Sequence, residues 1–250
     1  MHILLTNDDG IAARGLRALA EGFTAAGHRV TVCAPDQERS GASHSIAIGR
    51  ALRVTPVEYP NAVRAWRVDG TPADCASLGI WLTRDDPPDL VVTGINRGMN
   101  MGGACVYSGT VAAAMEAAMC GAQGLAVSLA LRDWNDVEDY TAALRLAVRV
   151  AEWAVEHPLP LGAIYNLNVP PLSYEEIKGL VPAKLAPMFL GAPVYEVAGE
   201  DSYLFKSNDT PPLPPDTDVT LSNAGYATLT KLTWDFRMAA DDGELGEIGM

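Results

Sequence analysis

A doubly wound α/β fold, with a mostly parallel sheet in three α/β/α layers, follows from three features of the sequence. Apolar, β-branched runs of strand length recur at residues 3–6, 29–34, 89–96, 124–131 and 163–169. They read as strands buried on both faces rather than alternating in and out. Helical patterns fill most of the intervals between them, and such an alternation over the first 170 residues builds a parallel sheet.

Each element has its own warrant. Residues 3–6 (ILLT) form a strand that ends abruptly in the turn residues Asn7-Asp8-Asp9-Gly10. Residues 14–26 place Leu16, Leu19, Ala20 and Phe23 on one helical stripe, and Gly27 caps the end. Residues 29–34 (RVTVCA) complete a right-handed strand–helix–strand unit, stopped by Pro35. The polar stretch 35–50 leaves that second strand and sets Ser40, Ser43 and His44 on the same rim as the two acids. Short strands are expected at 52–54 and 65–68. A helix follows to about residue 82, with Thr71 as N-cap and Pro72 at its first position.

The third buried strand, 89–96, runs into Gly94-Ile95-Asn96 and a glycine- and asparagine-rich loop at 97–103. Tyr107-Ser108-Gly109-Thr110 then opens an alanine-rich helix over about 111–120. After the fourth strand, Asn135 or Asp136 caps a long helix to about residue 156, with Leu144, Val148, Ala151 and Val155 on its core stripe. The fifth strand, 163–169, closes at Pro170-Pro171. Residues 172–238 change character: short strand-like runs at 179–181, 194–197, 202–205 and 226–232 are separated by proline pairs. This material is too poor in apolar residues for a core of its own. The expected organisation is one domain, with an α/β catalytic core at 1–171, a β-rich extension at 172–238 packed on the core or on another subunit, and an acidic tail at 239–250.

The 250 residues are 48% hydrophobic and 20% charged, enough apolar material for a sizeable core. The balance of 18 basic against 31 acidic residues, −13 overall, argues against nucleic-acid polymers and anionic membranes as partners. The four cysteines show no metal-ligand spacing. Cys33 and Cys120 are expected to be buried free thiols. Without a membrane-length apolar run or a leader pattern, the expected location is cytoplasmic.

Ligands of an open α/β sheet bind beyond the carboxyl ends of its strands. Asp8, Asp9 and Asn96 all end predicted parallel strands, so they can converge although distant in sequence. Adjacent carboxylates there call for a cation, and carboxylate and amide oxygens suit Mg²⁺ or Mn²⁺. Ser108-Gly109-Thr110 at a helix start offers free N–H groups and two hydroxyls to an anion, a role compatible with plain N-capping. His44 is either a phosphate donor, a general acid or an ordinary loop histidine. The first turn carries carboxylates where a dinucleotide fold needs GxGxxG, and the chain holds no GxxxxGK[ST].

Taken together, several stretches resemble the SurE survival proteins, metal-dependent nucleoside-monophosphate phosphatases. They are Thr6-Asn7-Asp8-Asp9-Gly10, Pro35-Asp36 with Arg39-Ser40 and Ser45-Ile46, Gly70-Thr71-Pro72-Ala73-Asp74-Cys75, Gly94-Ile95-Asn96, Asn100-Met101-Gly102, Tyr107-Ser108-Gly109-Thr110-Val111, Asn168-Val169-Pro170, and Gly225-Tyr226 to Leu232. The resemblance is collinear from residue 1 to about 236. It implies a Rossmann-like core, with Asp8, Asp9, Ser40 and Asn96 as ligands of one divalent metal ion per subunit, Mg²⁺ or Mn²⁺. Asn7, Ser108 and Thr110, with Gly109 and His44 beside them, would line the phosphate site, and Asp8, Asp9 and Asn96 would be catalytic. The implied substrates are nucleoside 5′-monophosphates, with 3′-monophosphates and short polyphosphate as extensions. The implied assembly is a homodimer or homotetramer joined through the C-terminal part.

The chain departs from the family at Ala47 (usually Thr), Ala104 (usually Asp or Asn) and Ala117 (usually Gly). Ala104 precedes the phosphate segment and bears on rate and substrate preference rather than on the ligand set. An inactive or altered-specificity member of the same fold is one rival. Another is a receiver-like Mg²⁺-binding module, which is half this length and needs an Asp where Asn96 stands. A haloacid-dehalogenase-type phosphatase would need DxDx[TV] after the first strand.

Overall fold

The computed structural model describes residues 1–131, 139–187, 194–206 and 212–234. The elements run β1 (His2–Thr6), α1 (Arg14–Ala25), β2 (Arg29–Pro35), β3 (Val54–Pro56), β4 (Arg64–Val68), α2 (Pro72–Leu82) and β5 (Leu90–Arg97). A 3₁₀ turn (Gly102–Val106), α3 (Gly109–Met119), β6 (Gly124–Leu129), α4 (Thr141–Glu156) and β7 (Ala163–Val169) follow. The chain continues with β8 (Leu180–Pro182), β9 (Val194–Gly199), β10 (Ser202–Lys206), α5 (Asp218–Asn223) and β11 (Ala227–Thr233).

Among the described residues nine strands form one sheet in the order β3-β4-β2-β1-β5-β6-β7-β11-β8. The run from β4 to β7 is parallel throughout, and β3 and β11 are antiparallel to their neighbours β4 and β7. The five strands read from the long apolar runs are therefore the middle of the sheet. Residues 172–234 add β8 and β11 to its edge and form the separate hairpin β9–β10.

Alternate side chains of the buried strands feed two faces. Ile3, Leu5, Val32 and Val92 pack with Leu16, Leu19 and Phe23 of α1 and Leu146 and Val150 of α4. On the other face Leu4, Cys33 and Val91 pack with Cys75 of α2 and Ala117 of α3. Ala117, one of the three departures, is thus a small core residue where α3 meets the sheet. With α1 and α4 on one face and α2 and α3 on the other, the molecule is a three-layer α/β/α fold. The strand order reverses between β1 and β5, so the crevice at their carboxyl ends is the expected ligand position.

α1 buries Leu16, Leu19, Ala20 and Phe23 as its periodicity requires. α2 starts with Thr71 and Asp74 in a reciprocal capping box and Pro72 in its first turn. α3 begins at Gly109 rather than near residue 111, because Ser108 accepts from Val111 N at 3.0 Å and so fixes the N-cap. The deepest stripe of α4 is Ala143, Leu146, Ala147, Val150, Ala151 and Ala154. Leu144, Val148 and Val155 lie at its margin, so the expected stripe was rotated by part of a turn. The caps expected at Asn135 or Asp136, like the acidic tail, lie outside the described residues; the described helix starts after Tyr140. β3 sits two residues later than read, and neither the 3₁₀ turn nor α5 was anticipated. Cys33 is a buried free thiol, whereas Cys120 is exposed, because it follows the end of α3 instead of lying inside it.

The Thr71 cap yields a modest stability prediction. Its Oγ1 accepts from Asp74 N at 3.1 Å and donates to Ser45 O at 2.7 Å, tying α2 to the 35–50 loop. Thr71→Ala is expected to lower unfolding stability by about 1 kcal/mol, read as a shift of the urea midpoint at unchanged slope.

Candidate active site

The site starts where β1 ends. Asp8 is almost fully buried, and its Oδ1 accepts from the hydroxyl of Thr110 in the first turn of α3 at 2.5 Å. Burial raises its pKa above the usual carboxylate value; hydrogen bonds from the Thr110 hydroxyl and backbone oppose that rise, and the charge of Glu38 adds to it. Gly109 makes the approach possible. A Cβ there would lie 2.8 Å from Asp8 Cβ and 3.0 Å from Asp8 Oδ2. The anion at the start of α3 is thus, in the first instance, the chain's own Asp8 carboxylate.

Besides α3, the 35–50 loop and the end of β5 meet the residues around Asp8. Asn7 is fully buried and donates from Nδ2 to Gly10 O at 3.0 Å, while its Oδ1 has no hydrogen-bond partner among the described residues. Arg39 N donates to Asp8 O at 2.7 Å, which fastens the 35–50 loop to the end of β1 and puts Ser40 next to that contact. The Ser40 hydroxyl is exposed and donates to Glu38 Oε1 at 2.7 Å. From β5, Arg97 N donates to Asp9 Oδ2 at 3.4 Å, and the Asn96 amide donates to Gly98 O at 2.9 Å.

Asn96 follows an irregularity in β5. The pairing with β6 slips between Thr93 and Asn96, so three steps on β5 match two on β6. Gly94 occupies the slip at φ +129°, where a Cβ would meet Val127 O at 2.2 Å, so no other residue type fits.

Asp8, Asp9, the Ser40 loop, Asn96 and the Ser108–Thr110 helix start are therefore gathered at the switch point. Ser108 is buried and occupied as the N-cap of α3. Thr110, expected to face a phosphate, directs its hydroxyl at Asp8. His44 sits further along α3, with Nε2 donating to Glu116 Oε2 at 2.9 Å. The 43–45 loop is held over the α3 entrance by Ser43, which donates from N to Tyr107 O and from Oγ to Val106 O. Ala47 N donates to Asp74 Oδ1 at 2.9 Å, a contact made by its backbone. Ala104 lies half-buried in the 3₁₀ turn.

Two participants were not read from the sequence. Glu38 adds a third acid beside Asp8 and Ser40; its only signal was a position two residues before Ser40. The other is the buried knot under the loop after β5. Asn100 N donates to Asn168 Oδ1 and Asn100 Nδ2 to Ser128 Oγ, while Asn100 O accepts from Asn166 and Asn168. Cys105 also donates to Asn100 O, and burial pushes its thiol up to about 12, so it carries no thiolate nucleophile near neutrality.

The donor set can be tested against a divalent cation. Among the described residues no three His, Cys, Asp or Glu side chains cluster as metal ligands. Two carboxylates joined by hydroxyl and amide oxygens suit a hard, partly hydrated ion. The buried Asp8 carboxylate and the unpartnered Asn7 Oδ1 fit such an ion and its water shell. If Thr110 fixes Asp8 as an outer-shell partner fixes a ligand, Thr110→Val should weaken Mn²⁺ binding by about 10- to 100-fold, and Thr110→Ser should restore it. Mn²⁺ titration of the three proteins is the check.

An apolar groove between α4 and β8, lined by Val150, Trp153, Leu180, Pro182 and Leu229, shares no residue with this site.

The sequence matches the family model described as survival protein SurE over residues 3–189. It is 41% identical over 182 residues to a protein of Trichormus variabilis named 5′-nucleotidase SurE, covering 72% of this chain and 68% of the relative. A protein of the same name from Gloeobacter violaceus is 37% identical over 262 residues, covering 98% of this chain and 95% of the relative. The crystal structure of a SurE protein from Aquifex aeolicus superposes with a TM-score of 0.80 at 28% identity, covering 99% of this chain and 98% of that one.

Proposed function

The chain belongs to the SurE family, and on that premise we propose that it is a 5′-nucleotidase, a divalent-metal-dependent phosphomonoesterase that splits nucleoside 5′-monophosphates into nucleoside and phosphate. The observation that carries the reading is the buried Asp8 carboxylate, joined to Thr110 at the mouth of α3, with the 35–50 loop tied to Asp8 O through Arg39 N and β5 tied to the Asp9 carboxylate through Arg97 N.

Asp8, Asp9, Ser40 and Asn96 would hold one Mg²⁺ or Mn²⁺ per subunit. Bound there, the ion would polarise a phosphoryl oxygen and lower the pKa of a water. The chain's own groups do the positioning. Thr110 keeps Asp8 oriented, and Arg39 N keeps the Ser40 loop closed onto it. The backbone N–H of Gly109, in the first turn of α3, would meet the equatorial phosphoryl oxygens where the helix dipole favours them. Asn7 Oδ1 stands as an acceptor for a ligand proton, and Glu116 keeps His44 at the rim. Residues 172–238 serve in this reading as oligomer contacts of a cytoplasmic homodimer or homotetramer.

The experiment is phosphate release from p-nitrophenyl phosphate and from 5′- and 3′-nucleoside monophosphates, with Mn²⁺, with Mg²⁺ and with EDTA. Metal-dependent release with 5′-monophosphates preferred supports the reading. Metal binding without release would replace it with the inactive-fold reading.

A further inference from the structure

The loop between β5 and α3 is held by a carboxylate from the far end of the chain. Asp218 opens α5 and is completely buried. Its Oδ2 accepts from Gly102 N at 2.9 Å, and its Oδ1 accepts from Ala186 N and Val219 N, both at 2.9 Å. Its own N–H donates to Lys184 O at 2.8 Å, so α5 is itself fastened to the segment after β8. Three N–H donors on one buried carboxylate make a stiff junction, because each donor left without it would be an unpaired buried group.

The position of this junction gives it consequence. Gly102 begins the 3₁₀ turn that leads, in six residues, to Ser108 and the mouth of α3. Gly102 has φ +54°, and a Cβ on it would lie 3.2 Å from Ala186 O, so the loop backbone is seated directly on the segment that Asp218 organises. The other anchor of the loop, Asn100, is held by the polar ends of β6 and β7. Two buried anchors two residues apart therefore set where the 3₁₀ turn starts and how α3 is entered. One belongs to the parallel core and one to residues beyond 172.

We propose that Asp218 is a positioning residue for the phosphate segment: through Gly102 it fixes the entry to Ser108–Thr110 without touching substrate. The phosphate part of this inference rests on the nucleotidase reading above; the brace itself does not. The test uses the full chain, with Asp218→Asn beside Thr217→Ala. In Asp218→Asn the amide oxygen can keep the bonds from Ala186 N and Val219 N, while the new N–H group turns toward Gly102 N and that bond is lost. Thr217 is a buried neighbour whose hydroxyl donates to Pro214 O, so its loss loosens α5 without removing the junction.

Amide hydrogen exchange over residues 99–110, the inhibition constant of inorganic phosphate and Mn²⁺ affinity are measured for each protein. Faster exchange at 99–110 and an inhibition constant raised about 10-fold in Asp218→Asn are expected, with Mn²⁺ affinity held and Thr217→Ala like the parent in all three. Unchanged exchange in Asp218→Asn, an unchanged phosphate constant, or an equal effect of Thr217→Ala would overturn the proposal. If the parent releases no phosphate from any monoester while Asp218→Asn still loosens 99–110, the nucleotidase reading fails and the brace stands.

Discussion

Asp8→Asn is expected to abolish metal-dependent phosphate release, lowering kcat/KM by about 10³-fold or more, since Lewis-acid stabilisation of the transition state is worth several kcal/mol and each 1.36 kcal/mol is tenfold. The substitution is nearly isosteric, and an asparagine at this position can still accept from the Thr110 hydroxyl. Folding should therefore survive, while the charge that draws in the cation is lost. Steady-state kinetics over a wide Mn²⁺ range, with circular dichroism as a control, provide the check. A variant that regains parental rate at moderately higher Mn²⁺ would show that Asp8 is peripheral.

Gly109→Ala should damage the site almost as severely, through geometry rather than charge. The added Cβ would meet Asp8 Cβ at 2.8 Å, Asp8 Oδ2 at 3.0 Å and Pro72 Cγ at 3.0 Å. Asp8 Cβ is one bond from the backbone and Pro72 is the first residue of α2, so neither of these two is the free end of a flexible chain. Either the carboxylate or the start of α3 must move. Displacements near 1 Å cost about 100-fold in rate, and overpacking of this kind costs about 1–3 kcal/mol of stability. The expected result is a folded protein with kcat/KM about 100-fold down and a lowered melting temperature. Near-parental kinetics would mean that the contact between α3 and Asp8 does not govern the chemistry.

Features set by local chemistry were legible in the sequence. The stripe Leu16, Leu19, Ala20 and Phe23 is a periodic signal and α1 buries it. Thr71-Pro72-Ala73-Asp74 is a helix start by composition, and the capping box is there. The convergence of Asp8, Asp9 and Asn96 could be read because parallel strand ends share one rim, and the strand order places β1 beside β5.

What stayed hidden depends on residues far apart in the chain. Nothing in residues 141–156 alone distinguishes the Ala143–Leu146–Val150 stripe from Leu144–Val148–Val155. The phase of α4 is set by packing on the face that α1 shares. The slip in β5 at Gly94 is defined by Val127 of the next strand, and the target of the Thr110 hydroxyl lies 102 residues away. Asp218 reads as one more acid in a proline-rich stretch until Gly102 is seen against it. The loop after β2 put Ser40 on the rim and the family resemblance made it a metal ligand; the structure leaves its hydroxyl exposed and bonded to Glu38.

The proposed activity stands on one divalent cation held by oxygen ligands at the end of β1, and calorimetric titration of Mn²⁺ into metal-stripped protein and its Asp8→Asn variant measures this most directly. The expected result is one Mn²⁺ per chain for the parent and no saturable binding for the variant. Equal binding by both proteins, or none by the parent, would contradict a cation at Asp8.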